Sequence, residues 1–116
     1  AELRPALPLM IGGDWNLTAA WCPDGVTPAM TTKEGQLLAR FEQEFGLRPA
    51  WSVAHAGVPL PRTLYFKQRA AVRYHIDGIF LSTDLCDRVL SATVLDGTEW
   101  NGISDHRPMV VELRAR

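Results

Sequence analysis

The chain has 116 residues, of which 47% are apolar and 22% are charged, and its formal net charge is −1. That length and composition are ordinary for one globular domain, and the near-neutral charge excludes a general nucleic-acid or anionic-membrane binder, because no overall basic field attracts phosphates. The sequence contains no apolar run approaching the ~20 residues that span a bilayer, so we expect no membrane span.

The first predicted element is a buried strand at residues 9–11, which the Gly12–Gly13 pair ends. Asp14 and Asn16 therefore follow the carboxyl end of a strand, where α/β proteins commonly bind ligands. Taken alone, these two residues are explained better by a polar turn than by a site. A long loop is predicted next, at residues 17–32.

An amphipathic helix is predicted after this loop. Thr31 and Glu34 have the spacing of a capping box, and Gly46 supplies a C-terminal stop. The apolar residues between them share one helical face: Leu37, Leu38, Phe41 and Phe45. We expect this helix to cover a sheet.

The second half of the chain predicts short strands joined by irregular segments. Residues 47–63 are rich in proline and are predicted to be irregular. Strands are predicted at 63–66, 72–82, 88–95 and 109–113, and a single helical turn at 83–86. The predicted fold class is α/β (α+β), with a mostly antiparallel sheet and a covering helix.

One stretch is locally basic. Between Glu44 and Asp77 there is no acidic residue, but there are five basic ones: Arg48, Arg62, Lys67, Arg69 and Arg73. Such a stretch can bind a phosphate-bearing substrate, which makes Arg69 and Arg73 candidate substrate-binding residues. A set of solvated surface arginines explains the stretch equally well.

Asp77 is the most informative single residue. Period-two alternation places it on the same half-apolar face as Ile79 and Leu81, where an unpaired carboxylate would cost several kcal/mol. It either binds a backbone amide or an arginine, or it orients a histidine and stabilises the imidazolium. His106 is the natural partner, and we predict a hydrogen bond between Asp77 and His106 that raises the pKa of the histidine.

The remaining polar candidates suit metal and phosphate chemistry. Asp14 and Asp105 supply hard oxygen ligands, which favour Mg²⁺ or Mn²⁺ over Zn²⁺. Asn16 offers amide donors to a phosphoryl oxygen. We expect Asp14, Asn16, Asp105 and His106 to converge at one edge of the sheet. The two cysteines match no metal-ligand spacing.

Three motifs in a fixed order carry a family resemblance. Gly13-Asp14-Trp15-Asn16, the run Ile76-Asp77-Gly78-Ile79-Phe80-Leu81-Ser82 and Ser104-Asp105-His106-Arg107-Pro108 resemble the C-terminal half of the endonuclease/exonuclease/phosphatase superfamily, which has the fold of DNase I and exonuclease III. The resemblance implies half of a four-layer sandwich, in which two sheets pack face to face with helices outside. It also implies metal-assisted hydrolysis of a phosphodiester.

The resemblance gives each matched residue a role. Asp14 aligns or deprotonates the attacking water, and Asn16 binds phosphate. Asp77 pairs with His106, which contacts the phosphate, and Asp105 helps to hold Mg²⁺ or Mn²⁺ together with Asp14. Whether Asp14 or His106 is the base stays open.

The sequence also departs from the family pattern. Trp15 replaces a phenylalanine, and Gly78 stands where many members have tyrosine. The family's first half, with its asparagine and metal-binding glutamate, has no counterpart in residues 1–116. We therefore expect a C-terminal half, in which residues 1–6 are a linker or the tail of the missing half. We expect this chain to be inactive or weakly active alone and to be completed by the missing half or by self-association.

Two other interpretations stay open. One is a non-catalytic remnant that binds a partner through an exposed sheet face, and the other is an unrelated α/β domain. The substrate also stays open among DNA, RNA, a phosphoinositide and other phosphodiesters.

Overall fold

The fold is seen in a computed structural model, which describes residues 7–16, 32–58, 60–65 and 77–116. Its elements, in chain order, are β1 (Met10–Asp14), α1 (Thr32–Phe45), β2 (Leu47–Pro49), α2 (Ala50–Ala54), β3 (Asp77–Ser82), α3 (Thr83–Cys86), β4 (Val89–Val94) and β5 (Met109–Leu113). A 3₁₀ turn, Thr98–Gly102, lies between β4 and β5. The protein is thus an α+β domain with small antiparallel sheets and a few helices, which confirms the fold class at this level. None of the helices in these ranges is long and apolar enough to cross a membrane.

The strands form two antiparallel sheets. β3 is the central strand of the first sheet, between β1 and β2, while β4 and β5 form a separate two-stranded sheet. The register of β1 on β3 pairs Met10 with Leu81 and Asp14 with Asp77. This register brings two carboxylate residues opposite each other at one end of the first sheet.

The main core lies where α2 and the β4–β5 sheet pack on one face of the first sheet. Ala50 of α2 and Leu81 of β3 are completely buried there, and Val89 of β4 and Val111 of β5 pack against this cluster. Packing of these elements excludes water from one face of β3, whereas Asp77, at the start of the strand, stays partly exposed.

The first sheet is covered on its other face by α1. Phe41 of this helix contacts Phe80 of β3 and Trp15 edge to face, with ring centroids 5.1 Å and 5.6 Å away. The helix ends where predicted, because Gly46 has φ +64° and its N–H donates to the Glu42 carbonyl at 3.0 Å. The predicted N-cap, Thr31, lies outside the described residues.

The prediction for the first strand was wrong in two respects. β1 continues through Gly12 and Gly13 as far as Asp14, and all five of its residues are exposed. The glycines do not break the strand because backbone pairing with β3 runs through them. The strand is exposed because β1 lies at an edge of its sheet.

Residues 47–63 were also wrongly predicted to be wholly irregular, since they contain β2 and α2. Pro49 precedes the helix with φ −60°, a value that its ring fixes and that suits a helix start. Pro49 therefore marks the boundary between β2 and α2 rather than disrupting the segment.

The later strand predictions had mixed outcomes. The helical turn at 83–86, the strand within 88–95 and the strand at 109–113 are confirmed. In the predicted strand 63–66, the described residues form one isolated bridge, between Leu64 and His106. The predicted loop at 17–32 and the start of the strand at 72–82 fall on residues outside the described ranges, apart from Thr32, which begins α1.

Candidate functional site

The site begins with the cross-strand pair of Asp14 and Asp77. Their side chains are 41% and 17% exposed, respectively. Like charges directly opposite each other on antiparallel strands destabilise a sheet. A cation or an imidazolium between these two carboxylates offsets that repulsion.

His106 occupies this position. Its Nδ1 lies 2.9 Å and 3.1 Å from the two carboxylate oxygens of Asp77, so the predicted hydrogen bond is confirmed. With the proton on Nδ1 held by Asp77, Nε2 faces the other side, 3.8 Å from an oxygen of Asp14 and 3.9 Å from an oxygen of Asp105. The imidazole therefore has a carboxylate on one side and two more on the other.

This setting shifts the pKa of His106. Partial burial lowers the pKa, but the hydrogen bond to Asp77 and the negative charges of Asp77, Asp14 and Asp105 outweigh that effect. The pKa is raised above the ordinary value of 6.5, as predicted. The setting therefore stabilises the cationic form relative to a free imidazole, and the cation binds an anion more strongly than the neutral form does.

Thr63 joins the two segments that supply the histidine and its carboxylate. It is fully buried; its Oγ1 accepts a hydrogen bond from the N–H of Asp77 at 3.2 Å, and its carbonyl accepts one from the N–H of Arg107 at 2.8 Å. A single buried residue thus fixes the backbone of β3 relative to the segment that carries His106.

Asn16 acts on Asp14 through its backbone. It has φ +51°, a left-handed conformation that asparagine tolerates better than most residues. In this conformation its N–H donates to Oδ1 of Asp14 at 2.9 Å, which leaves Oδ2 on the side of His106. The phosphate-binding role of the Asn16 side chain stays a prediction.

Three side chains of the site lie at the spacing of possible metal ligands. One ligand atom each from Asp14, Asp77 and His106 lies within 4.8 Å of the others. Both oxygens of Asp77 face Nδ1 of His106, so this carboxylate serves the imidazole. Asp14 and Asp105 place oxygens on the Nε2 side, and carboxylate oxygens suit Mg²⁺ or Mn²⁺.

A cleft of about 340 Å³ opens beside these groups. Asp14 and Asp77 lie at its polar end, and its lining continues along the glycines of β1 and β3 to Met109. Its volume is at the lower end of the range for small-molecule sites. The cleft therefore gives a small molecule access to the carboxylates of Asp14 and Asp77.

The structure brings together most of the residues predicted for the site. Asp14, Asp77, Asp105 and His106 meet at one end of the first sheet, and Asn16 adjoins Asp14. The candidate substrate-binding residues Arg69 and Arg73 lie outside the described residues.

Sequence reasoning missed the residues that hold this arrangement in place. Thr63 and Tyr65 were placed only in a predicted strand, and Arg107 only in the third motif, with no separate role for any of them. One signal was available in the sequence. Thr63 and Tyr65 lie two positions apart in a short apolar run, and side chains at that spacing lie on the same side of a strand.

No protein-family model matches the chain, and no match to a curated protein was found. The function is therefore argued from the geometry of the site together with the motif resemblance.

Proposed function

We propose that this chain supplies part of the active site of a Mg²⁺- or Mn²⁺-dependent phosphodiesterase or nuclease, as the C-terminal half of a DNase I-like sandwich of the endonuclease/exonuclease/phosphatase superfamily. One observation carries the proposal: His106 is held at Nδ1 by Asp77, while its Nε2 faces Asp14 and Asp105. An oriented proton donor beside two carboxylates is a combination suited to metal-assisted phosphoester hydrolysis.

Each side chain has a separate task in this proposal. Cationic His106 contacts a phosphoryl oxygen through Nε2–H, and Asn16 binds the phosphate. Asp14 aligns or deprotonates the attacking water, and Asp105 together with Asp14 holds the cation. When bound, Mg²⁺ supplies stabilisation of charge on the phosphate and on the leaving oxygen.

The raised pKa of His106 supports Asp14 as the base. A protonated imidazole has no lone pair with which to accept a proton from water, whereas a carboxylate has several. We therefore propose His106 as the proton donor and Asp14 as the acceptor.

The two carboxylates on the Nε2 side are few ligands for Mg²⁺, which takes octahedral oxygen coordination and gives up its waters reluctantly. We therefore propose that further ligands come from the other half of the sandwich or from a partner. The isolated chain is accordingly expected to hydrolyse phosphodiesters weakly or not at all.

Metal binding is tested directly with Mn²⁺, whose paramagnetism broadens NMR signals of nearby nuclei. We expect broadening centred on Asp14 and Asp105 in the wild-type chain and its loss in Asp105→Ala. The matched control is Asp87→Ala, which removes an exposed acid after α3 and should leave the broadening unchanged. A wild-type chain without this broadening would contradict the metal role and favour the non-catalytic interaction module.

Activity is tested with plasmid DNA and a chromogenic phosphodiester in the presence of Mg²⁺. We expect weak turnover by the wild-type chain, no turnover by Asp105→Ala, and turnover equal to that of the wild type by Asp87→Ala. Robust turnover by a monomer would refute the claim that the site is incomplete. Turnover that survives Asp105→Ala would refute the assignment of the site.

A further inference from the structure

Two neighbouring residues at the site lie in opposite environments. The side chain of His106 is 34% exposed, whereas that of Arg107 is 2% exposed. Successive side chains of an extended segment point to opposite sides, so His106 faces the carboxylates while Arg107 enters the protein. A buried guanidinium requires partners, and those partners influence where His106 lies.

The partners of Arg107 come from several parts of the chain. One terminal nitrogen donates to the Ser104 carbonyl at 3.3 Å, and the other donates to Oδ1 of Asn101. Nε lies 3.5 Å from an oxygen of Asp96 and, among the described residues, has no hydrogen-bond partner. The guanidinium also lies over the ring of Tyr65, with its central carbon 4.0 Å from the ring centroid.

Tyr65 contacts the same segment at a second point. Its backbone N–H donates to the carbonyl of Asp105 at 2.7 Å, and its hydroxyl donates to Asp96. Partial burial, and then the hydrogen bond and charge of Asp96, raise the pKa of Tyr65, so the phenol stays a neutral donor. The residues on both sides of His106 are therefore held by Tyr65, one through its backbone and the other through its ring.

We propose that Tyr65 and Arg107 are positioning residues that hold Nδ1 of His106 in hydrogen-bonding distance of Asp77. A planar guanidinium stacked on a ring and bound at two nitrogens restricts rotation of the segment about its own axis. A displacement of about 1 Å is enough to impair a catalytic arrangement of this kind. The catalytic consequence rests on the proposed function, whereas the positioning itself is measurable without it.

The test follows the Nδ1–H proton of His106 in the ¹⁵N-labelled chain, without metal or substrate. A ring proton held by a carboxylate gives a far-downfield, slowly exchanging signal, and Asp77→Asn identifies it by its disappearance. We expect Tyr65→Leu and Arg107→Lys, recorded at the same pH, to lose the signal. Tyr65→Phe should keep it, because the ring that contacts Arg107 remains.

Arg88→Lys is the matched control for Arg107→Lys. Arg88 also donates to a backbone carbonyl, that of Arg114 at 2.8 Å, but at the far end of the β4–β5 sheet, so its variant should keep the signal. The amide spectrum of each variant reports whether it folds, and the two loss variants are assessed separately. A folded Tyr65→Leu or Arg107→Lys chain that retains the signal would overturn the proposal.

The outcome is independent of the hydrolysis and Mn²⁺ experiments. If those experiments fail while the Nδ1–H signal behaves as expected, the proposed function is refuted and the positioning role of Tyr65 and Arg107 stands. An unchanged signal in the folded variants, with Mn²⁺ binding and turnover as expected, would remove the positioning and leave the proposed function intact.

Discussion

The residues around Asp105–Arg107 form two regions that differ in their balance of charge. On one side lies the carboxylate cluster, in which Asp14, Asp77 and Asp105 surround a single imidazole. On the other side lies the arginine–tyrosine cluster, in which the guanidinium of Arg107 is enclosed by the ring of Tyr65 and by polar groups. The first region has more negative charge than the imidazole balances, while the second buries a cation among its partners.

This difference separates the part of the site that can take a ligand from the part that supports it. Carboxylates held close together repel each other. Binding of a proton or a cation among them relieves this repulsion and is therefore energetically favourable. The arginine–tyrosine cluster has no comparable excess charge, and its contacts stabilise the segment instead. The comparison predicts different responses to substitution in the two regions.

The largest effect is expected in the arginine–tyrosine cluster. Arg107→Ala removes a buried cation and leaves its hydrogen-bond partners and the Tyr65 ring without it, so we expect the free energy of unfolding to fall by about 3 kcal/mol. Urea denaturation followed by circular dichroism measures this change. Arg88→Ala, at the opposite end of the β4–β5 sheet, should cost less than half as much. Equal losses in the free energy of unfolding would show that Arg107 contributes no more to stability than Arg88 does.

A smaller effect, dependent on pH, is expected within the carboxylate cluster. Asp77→Asn weakens the hydrogen bond to His106 and should lower the free energy of unfolding by about 1 kcal/mol at pH 6. Because folding raises the pKa of His106 above 6.5, its contribution is complete below that pH and is lost as the pH rises through the folded-state pKa. Wild-type stability should therefore decline across this range more than that of the variant.

Urea denaturation at pH 5 to 9, together with NMR titration of His106, checks both statements. Asp77→Asn should also lower the pKa of the histidine, since it removes the hydrogen bond and the charge that raise it. A pKa and a pH profile that match the wild type would show that Asp77 does not stabilise the imidazolium.

The smallest effect has the opposite sign. At pH 9, where more of the imidazole is neutral, Asp14→Asn relieves the repulsion between the paired strands and should raise the free energy of unfolding by about 0.5 kcal/mol. At pH 5 the imidazolium attracts Asp14, so the gain should disappear. Glu112→Gln, on β5 opposite Ser91, serves as the control and should show no such pH dependence. A loss of stability at pH 9 would show that Asp14 is a structural residue.

Features that depend on neighbouring residues could be predicted from the residue pattern alone. The apolar stripe and Gly46 predicted α1, the apolar run at 109–113 predicted β5, and alternation around Asp77 predicted a carboxylate that needs a partner. These features follow from the periods of helices and strands and from the cost of burying a charge, which act over a few residues. They were enough to predict the Asp77–His106 hydrogen bond, with the motif order as a guide.

The way in which distant segments meet could not be predicted from local patterns. The register of β1 on β3 places Asp14 opposite Asp77 although 62 positions separate them in sequence, and the burial of Arg107 depends on the ring of Tyr65. Strand register and side-chain stacking are fixed by the packing of the whole domain, because a shift of one residue would turn every side chain to the other face. The sequence therefore predicted which groups carry the chemistry, and long-range packing determined how they are held together.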